Sequence, residues 1–378
     1  MNAVLTNAAI VLPGTILHGT LQIQGSRIAA IDPGRSQAPG AIDVEGDYVL
    51  PGAVDLHTDN LERQVEPRTG TRWPSRSALL AHDAHCAAAG ITTVLDSLCV
   101  GDLGFDEDRT RTCTEGIADL DALAPTGLLK AEHFLHLRCE LPAPGMPDLA
   151  APLVAHRLLR LLSLMDHTPG SGQYADLPRY RAMRLRDGDD PATIEASVHS
   201  LQAQRARIRG PNRRALLALM RDRAPAVALA SHDDRTVADV AENLADGLPI
   251  AEFPVTLEAA RAARAGGQTV IAGAPNLVRG GSHTGNVAVA ALLAAGQVDA
   301  LASDYVPASL IEGAFAATRH GLALPDAVAL IGAAPAAMIG LADRGRIAPG
   351  LRADLVRVRL HDGAPVVRQV WRAGERVI

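Results

Sequence analysis

The chain alternates between two kinds of segment, and this alternation restricts its fold more than any other feature. Short apolar runs of strand length lie at 53–56, 92–96, 134–139, 161–165, 226–230, 250–253, 269–272 and 299–302. Between them are longer stretches with helical spacing, such as 76–89, 256–265 and 286–295. A strand–helix–strand order sets consecutive strands parallel, with helices packed on their outer side. Eight such units predict a (β/α)8 TIM barrel, and a doubly wound sheet is the competing arrangement. Ala89-Gly90 and Ala265-Gly266 read as helix C-caps. Aromatics make up only 3% of residues against 48% hydrophobic, so aliphatic side chains must build the core.

The two ends of the chain read differently. Residues 4–11, 20–23 and 28–31 carry β-type apolar content broken by Gly or Pro, and 353–360, 364–373 and 376–378 repeat that style. The expectation is a small discontinuous β-sandwich domain from 1–50 and 345–378, with the barrel at 51–344. A barrel needs about 250 residues, which leaves room for that domain in 378. One connection, about 169–224, is far longer than an ordinary loop, and its second half, 191–223, reads as a basic helix. An inserted arm over the barrel mouth is expected there.

Several function classes are disfavoured. The net charge of −6 gives no global field for nucleic acid or an anionic membrane. No uninterrupted apolar stretch reaches membrane-spanning length; 322–341 is broken by Pro325, Asp326 and Pro335. Cys86, Cys99, Cys113 and Cys139 form no C-x-x-C pair, so reduced thiols are expected rather than a zinc knuckle or redox motif. The first residues lack the features of a leader, and a cytoplasmic location is expected. A homodimer is the default assembly.

Five strand ends terminate in metal-ligand chemistry. These are His57-Thr58-Asp59, Arg138-Cys139-Glu140, Asp166-His167, Ser231-His232-Asp233-Asp234 and Ser303-Asp304. Residues i and i+2 of a strand share a face, so His57 and Asp59 can reach one ion. The C-terminal strand ends form the active face of such a barrel. His57, Asp59, Glu140, His167, His232 and Asp304 together can hold two divalent ions, with Asp304 also placed to move a proton. A lone histidine at a strand end is more often structural; it is the ordered set that points to catalysis.

These residues sit in recognisable motifs. Leu50-Pro51-Gly52-Ala53-Val54-Asp55-Leu56-His57, Ala88-Ala89-Gly90-Ile91-Thr92-Thr93-Val94 and the tail from Gly345 to Val356 resemble the amidohydrolase superfamily. A narrower resemblance lies in His57-Thr58-Asp59-Asn60-Leu61-Glu62-Arg63, Met165-Asp166-His167-Thr168-Pro169-Gly170 and Asn276-Leu277-Val278-Arg279-Gly280-Gly281-Ser282-His283. It is to a phosphonate-catabolism branch that cleaves a phosphoanhydride of a phosphorylated sugar. Where the superfamily has His-x-His this chain has His57-Thr58-Asp59, and Glu140 takes the place of a carboxylated lysine. Zn²⁺ suits the histidines, while the added oxygen ligands keep Mn²⁺ and Mg²⁺ open.

A triphosphate substrate requires local cations. Arg138, two residues before Glu140, is the first expected phosphate ligand, followed by Arg63 and Arg279; Arg68 and Arg184 complete the set. The resemblance adds Asn60 and His283 as substrate contacts, and Gly280-Gly281 is a candidate source of backbone N–H groups for an anion. Glu252, at the end of the sixth run, is a candidate to hold water or sugar. Amide or cyclic-amide hydrolysis is the rival chemistry, and a non-catalytic scaffold barrel is the rival of another class.

Overall fold

The computed structural model describes residues 2–103, 108–282 and 284–378, with the side chain of Asp108 excepted. Eight parallel strands run Ala53–Thr58, Ile91–Val100, Glu132–Glu140, Leu159–Met165, Ala228–His232, Ile250–Glu252, Thr269–Gly273 and Ala300–Ala302. Each pairs with the next in sequence order, with no reversal, which excludes the doubly wound sheet. Two backbone bonds join the last strand end to the first, Asp304 N–H to the His57 carbonyl (2.9 Å) and Asp59 N–H to the Asp304 carbonyl (3.0 Å). Metal-ligand candidates from opposite ends of the barrel are therefore side by side.

Lower down, the same seam is filled by the turn at Leu330 and Ile331. Its carbonyls accept from Leu301 N–H (2.9 Å) and Val54 N–H (2.8 Å). Gly332 follows this turn and lies against Gly345, which has φ +83°; a Cβ on Gly345 would meet the Gly332 carbonyl oxygen at 2.5 Å. Both the conformation and the space demand glycine. Gly345→Ala is expected to cost on the order of 2–4 kcal/mol, read as a lower urea midpoint with unchanged slope.

Strand periodicity divides the barrel side chains. Leu56, Leu98, Leu135, Leu137, Leu162 and Leu164 are buried in the largest apolar cluster. The alternate face is polar beneath the mouth: the Ser97 hydroxyl, His136 and the Ser163 hydroxyl form a hydrogen-bonded row across three strands (3.1 and 2.9 Å). The His136 ring packs edge-on against His57, with centroids 5.1 Å apart. Burial pushes the His136 pKa down to about 3, so this imidazole is neutral.

The two chain ends meet in one separate curled sheet. Its order is Glu375–Arg376, Ala364–Arg372, Leu355–His361, Tyr48–Pro51, Asn2–Leu12, Thr15–Gln24, Arg27–Pro33. Leu5, Ile10, Leu21, Val49, Leu355 and Trp371 form its core. Tyr48–Pro51 leads through Gly52 into the first barrel strand.

The long connection holds the helices Leu177–Asp187 and Pro191–Arg223. Arg205 and Arg209 pair with Asp166, and Arg213 with Asp246, so the basic face of the longer helix is used to fasten it to the barrel. The shorter helix turns Met183 and Arg184 toward the barrel mouth. No helix among the described residues is long and apolar enough to cross a membrane.

Candidate metal centre and its cavity

Two groups of ligand atoms face a cavity of about 440 Å³ at the C-terminal strand ends. His57, Asp59 and Asp304 form one group, and His167, His232 and Asp233 the other; within each, one ligand atom per residue lies within 4.8 Å of the rest. The ring of His232 is 5.7 Å from that of His57 and 5.6 Å from that of His167, centroid to centroid. The three imidazoles expected from sequence thus gather at one place.

Carboxylates behind the rings set which nitrogen faces the cavity. His57 Nδ1–H donates to Glu252 Oε1 (2.8 Å) and His232 Nδ1–H to Glu252 Oε2 (2.6 Å). His167 Nδ1–H donates to Glu140 Oε2 (2.6 Å), and Glu140 Oε1 accepts His167 backbone N–H (2.9 Å). A proton held on Nδ1 leaves Nε2 with its lone pair free, the tautomer a metal ligand needs. Glu140 stands behind His167 and also lines the cavity.

The residues fit a cation. Asp59 Oδ1 and Asp233 Oδ2 are buried and have no hydrogen-bond partner among the described residues. Asp59 Oδ1 lies 3.5 Å from His57 Nε2; Asp233 Oδ2 lies 3.5 Å from His232 Nε2 and 3.9 Å from His167 Nε2. Buried carboxylate oxygens facing imidazole lone pairs are expensive unless a positive charge joins them. The titration directions agree. Burial opposes charge on His57, yet Glu252 and Asp59 push its pKa up to about 10, so without a metal a proton sits on Nε2 facing Asp59, in the place a cation would take. Burial also acts against ionised Glu252, but His57, His136 and His232 hold it well below the usual carboxylate range. Burial and the neighbouring Asp59 charge push Asp304 up to about 7.

Arg138 is buried in the wall and donates through Nη1 to Asp59 Oδ2 (2.9 Å). Arg184 lines the cavity while paired with Asp189 (2.7 Å). Arg63 lies at the rim, its Nη1 donating to the carbonyl of Tyr305 (3.3 Å), a cavity residue. Arg68 is exposed in a turn with Thr71, and Arg279 is exposed in the last turn of the helix Ala274–Arg279; neither lines the cavity. Asn60 is buried the other way, its amide nitrogen 2.8 Å from His82 Nδ1. His82 in turn joins Asp96 and His133 in a buried network. Gly280 and Gly281 N–H both donate to the Asn276 carbonyl (3.1 and 2.9 Å), capping their helix rather than offering themselves to an anion. His283 lies outside the described residues.

Sequence reasoning passed over Asp233 and Arg109, and it assigned Glu252 to water or sugar instead of to two histidines. Asp233, Phe253 and Asp304 have φ +57°, +54° and +54°, each just beyond a strand end. This left-handed step turns Asp233 onto the same side as its neighbour His232, against the period-2 rule. The run of two aspartates after His232 was the available signal.

The chain belongs to the amidohydrolase family, whose family model matches residues 60–378. It is 43% identical to alpha-D-ribose 1-methylphosphonate 5-triphosphate diphosphatase of Escherichia coli (strain K12) over 378 residues, covering 99% of this chain and 100% of that protein. Solved structures share the fold. N-isopropylammelide isopropylaminohydrolase from Burkholderia multivorans aligns over 100% of this chain and 98% of its own (TM-score 0.65, 18% identity). N-acetyl-D-glucosamine-6-phosphate deacetylase from Mycobacterium smegmatis aligns over 100% of both (TM-score 0.61, 18% identity).

Proposed function

We propose that the chain is a metal-dependent hydrolase that cleaves the phosphoanhydride of alpha-D-ribose 1-methylphosphonate 5-triphosphate and releases pyrophosphate. The observation that carries this reading is the pair of His/Asp groups at the floor of a cavity that arginines also line. The full-length likeness to the Escherichia coli diphosphatase supplies the substrate. His57, Asp59 and Asp304 would hold one divalent ion, and His167, His232 and Asp233 a second, with Glu140 behind His167. Zn²⁺ is the first choice for three imidazoles, and Mn²⁺ or Mg²⁺ the alternatives. Such ions supply Lewis-acid chemistry: they acidify water and neutralise charge on phosphoryl oxygens.

The chain's own groups do the rest. Asp304, whose metal-free pKa of about 7 a bound cation would lower, is ionised at neutral pH and takes the proton from the attacking water. Arg138 keeps its charge beside Asp59 and meets a phosphoryl oxygen from the wall; Arg184 does so from the arm. Glu252 and Glu140 hold the imidazoles so that their free nitrogens do not rotate away. We further assign the protein to the cytoplasm, as a homodimer by default, with a phosphorylated sugar as its partner and neither nucleic acid nor membrane.

Incubating protein loaded with Zn²⁺, Mn²⁺ or Mg²⁺ with this triphosphate is expected to release pyrophosphate and the sugar 5-phosphate in equal amounts, identified by mass spectrometry. Release of orthophosphate alone, or hydrolysis of a cyclic amide with the triphosphate untouched, would overturn the assignment.

A further inference from the structure

The cavity has two unlike walls. On one side, Arg109, Arg138 and Arg184 come from the helix Asp108–Leu123, the third strand and the arm helix; Asp102 is also on this wall. On the other side, the described lining residues between Phe253 and Leu292 carry no charge; the exposed Arg179 of the arm helix lies against Gly285 but outside the cavity lining. There Phe253 and Pro275 offer apolar surface, and Ser282, Thr284 and Asn286 form a hydrogen-bonded ladder (2.9 Å at each step). The His/Asp groups lie between the walls.

We infer that the cavity is polarised, with the pyrophosphate leaving group held by Arg109, Arg138 and Arg184 and the sugar lying along the uncharged wall. This rests on the phosphoanhydride reading above and adds direction to it. A leaving pyrophosphate carries the densest negative charge in the reaction, and guanidinium groups meet phosphoryl oxygens through paired N–H donors. Arg138 is nine-tenths buried or more, lines the cavity, and its buried Nε has no hydrogen-bond partner among the described residues. Such a donor is costly to leave unmet, and an anion beside it would remove that cost. Arg109 lies 3.3 Å from Glu62 and Arg184 2.7 Å from Asp189, so carboxylates hold both guanidinium groups at the wall. Sugar hydroxyls instead suit the amide and hydroxyl groups of the ladder, with Phe253 and Pro275 against the carbon face of the ring.

Two products that occupy different halves can be bound together. Calorimetric titration of the metal-loaded protein uses inorganic pyrophosphate and ribose 5-phosphate, singly and in combination. Saturating ribose 5-phosphate is expected to leave the pyrophosphate Kd within about 3-fold. Arg184→Gln is expected to weaken pyrophosphate by about 10- to 100-fold and ribose 5-phosphate little. Asn286→Ala is expected to do the reverse, and Arg184→Lys to recover most of the lost pyrophosphate affinity. Metal content, measured alongside, shows that each variant retains its centre. Mutual exclusion of the two products, or equal weakening of both by Arg184→Gln, overturns the polarity even if the wild type releases pyrophosphate. Failure of the wild type to release pyrophosphate overturns the parent reading instead.

Discussion

Glu252→Ala is expected to strip the centre of metal and lower kcat by about 10²- to 10⁴-fold. One fully buried carboxylate serves two rings, taking Nδ1–H of His57 on one oxygen and Nδ1–H of His232 on the other. Those histidines belong to different ligand groups, so one substitution loosens both. Losing a partner behind a ligating histidine typically costs 10- to 100-fold in metal affinity; two histidines losing a shared partner should compound. The effect is electrostatic as well as geometric, because Glu252 is the foremost charge raising the pKa of His57. Glu252→Gln tests the geometry alone. An amide presents one acceptor and one donor, so only one histidine can keep Nδ1–H directed at it. The other must turn or move its proton to Nε2, where it blocks coordination. Elemental analysis should show a partial metal loss in Glu252→Gln and a deeper one in Glu252→Ala. Full metal content in both, with kcat within about 3-fold of wild type, would remove Glu252 from the machinery.

The same residue shows where sequence reading stops. The eight strands were legible because parallel strands covered on both faces are rich in apolar residues, and five of the runs lead into metal-ligand residues at the functional rim. His57, His167 and His232 could be placed together because strand order alone brings those ends to one mouth. The direction of a side chain just past a strand is not written in the same pattern. Asp233 is turned toward the site by its own left-handed backbone, and nothing in the order of residue types announces that φ. Closeness in sequence to a motif was a poor guide for the arginines. Arg279 and Arg68 are near candidate motifs yet exposed away from the cavity, whereas Arg109 lines it from far along the chain. The partner of Asn60 is His82, a helix residue, and that contact depends on how a short helix packs on a longer one. Identity of ligands was thus readable from strand ends; what aligns them depends on tertiary contacts.

Asp304→Asn is expected to lower kcat by about 10²- to 10⁴-fold while making the metal-free protein more stable in mild base. Burial and the adjacent Asp59 charge raise the Asp304 pKa to about 7, above its value in an unfolded chain. The ionised carboxylate therefore costs the fold stability. That cost is absent below about pH 4, grows as pH rises, and is complete above about 7. Asparagine carries no charge to desolvate or repel. At pH 8 the metal-free variant should gain on the order of 1–2 kcal/mol, allowing for solvent screening at the open mouth, and the gain should vanish toward pH 4. Activity has the opposite sign. A proton acceptor must be ionised, so wild-type kcat should fall as pH drops through the Asp304 pKa; a bound cation favours the carboxylate and places that limb at or below 7. Asp304→Asn should lack this limb in whatever activity remains. A residue that only supported the fold would give the reverse result, with stability lost at both pH values and the limb retained. That outcome would move the proton acceptor elsewhere in the cavity.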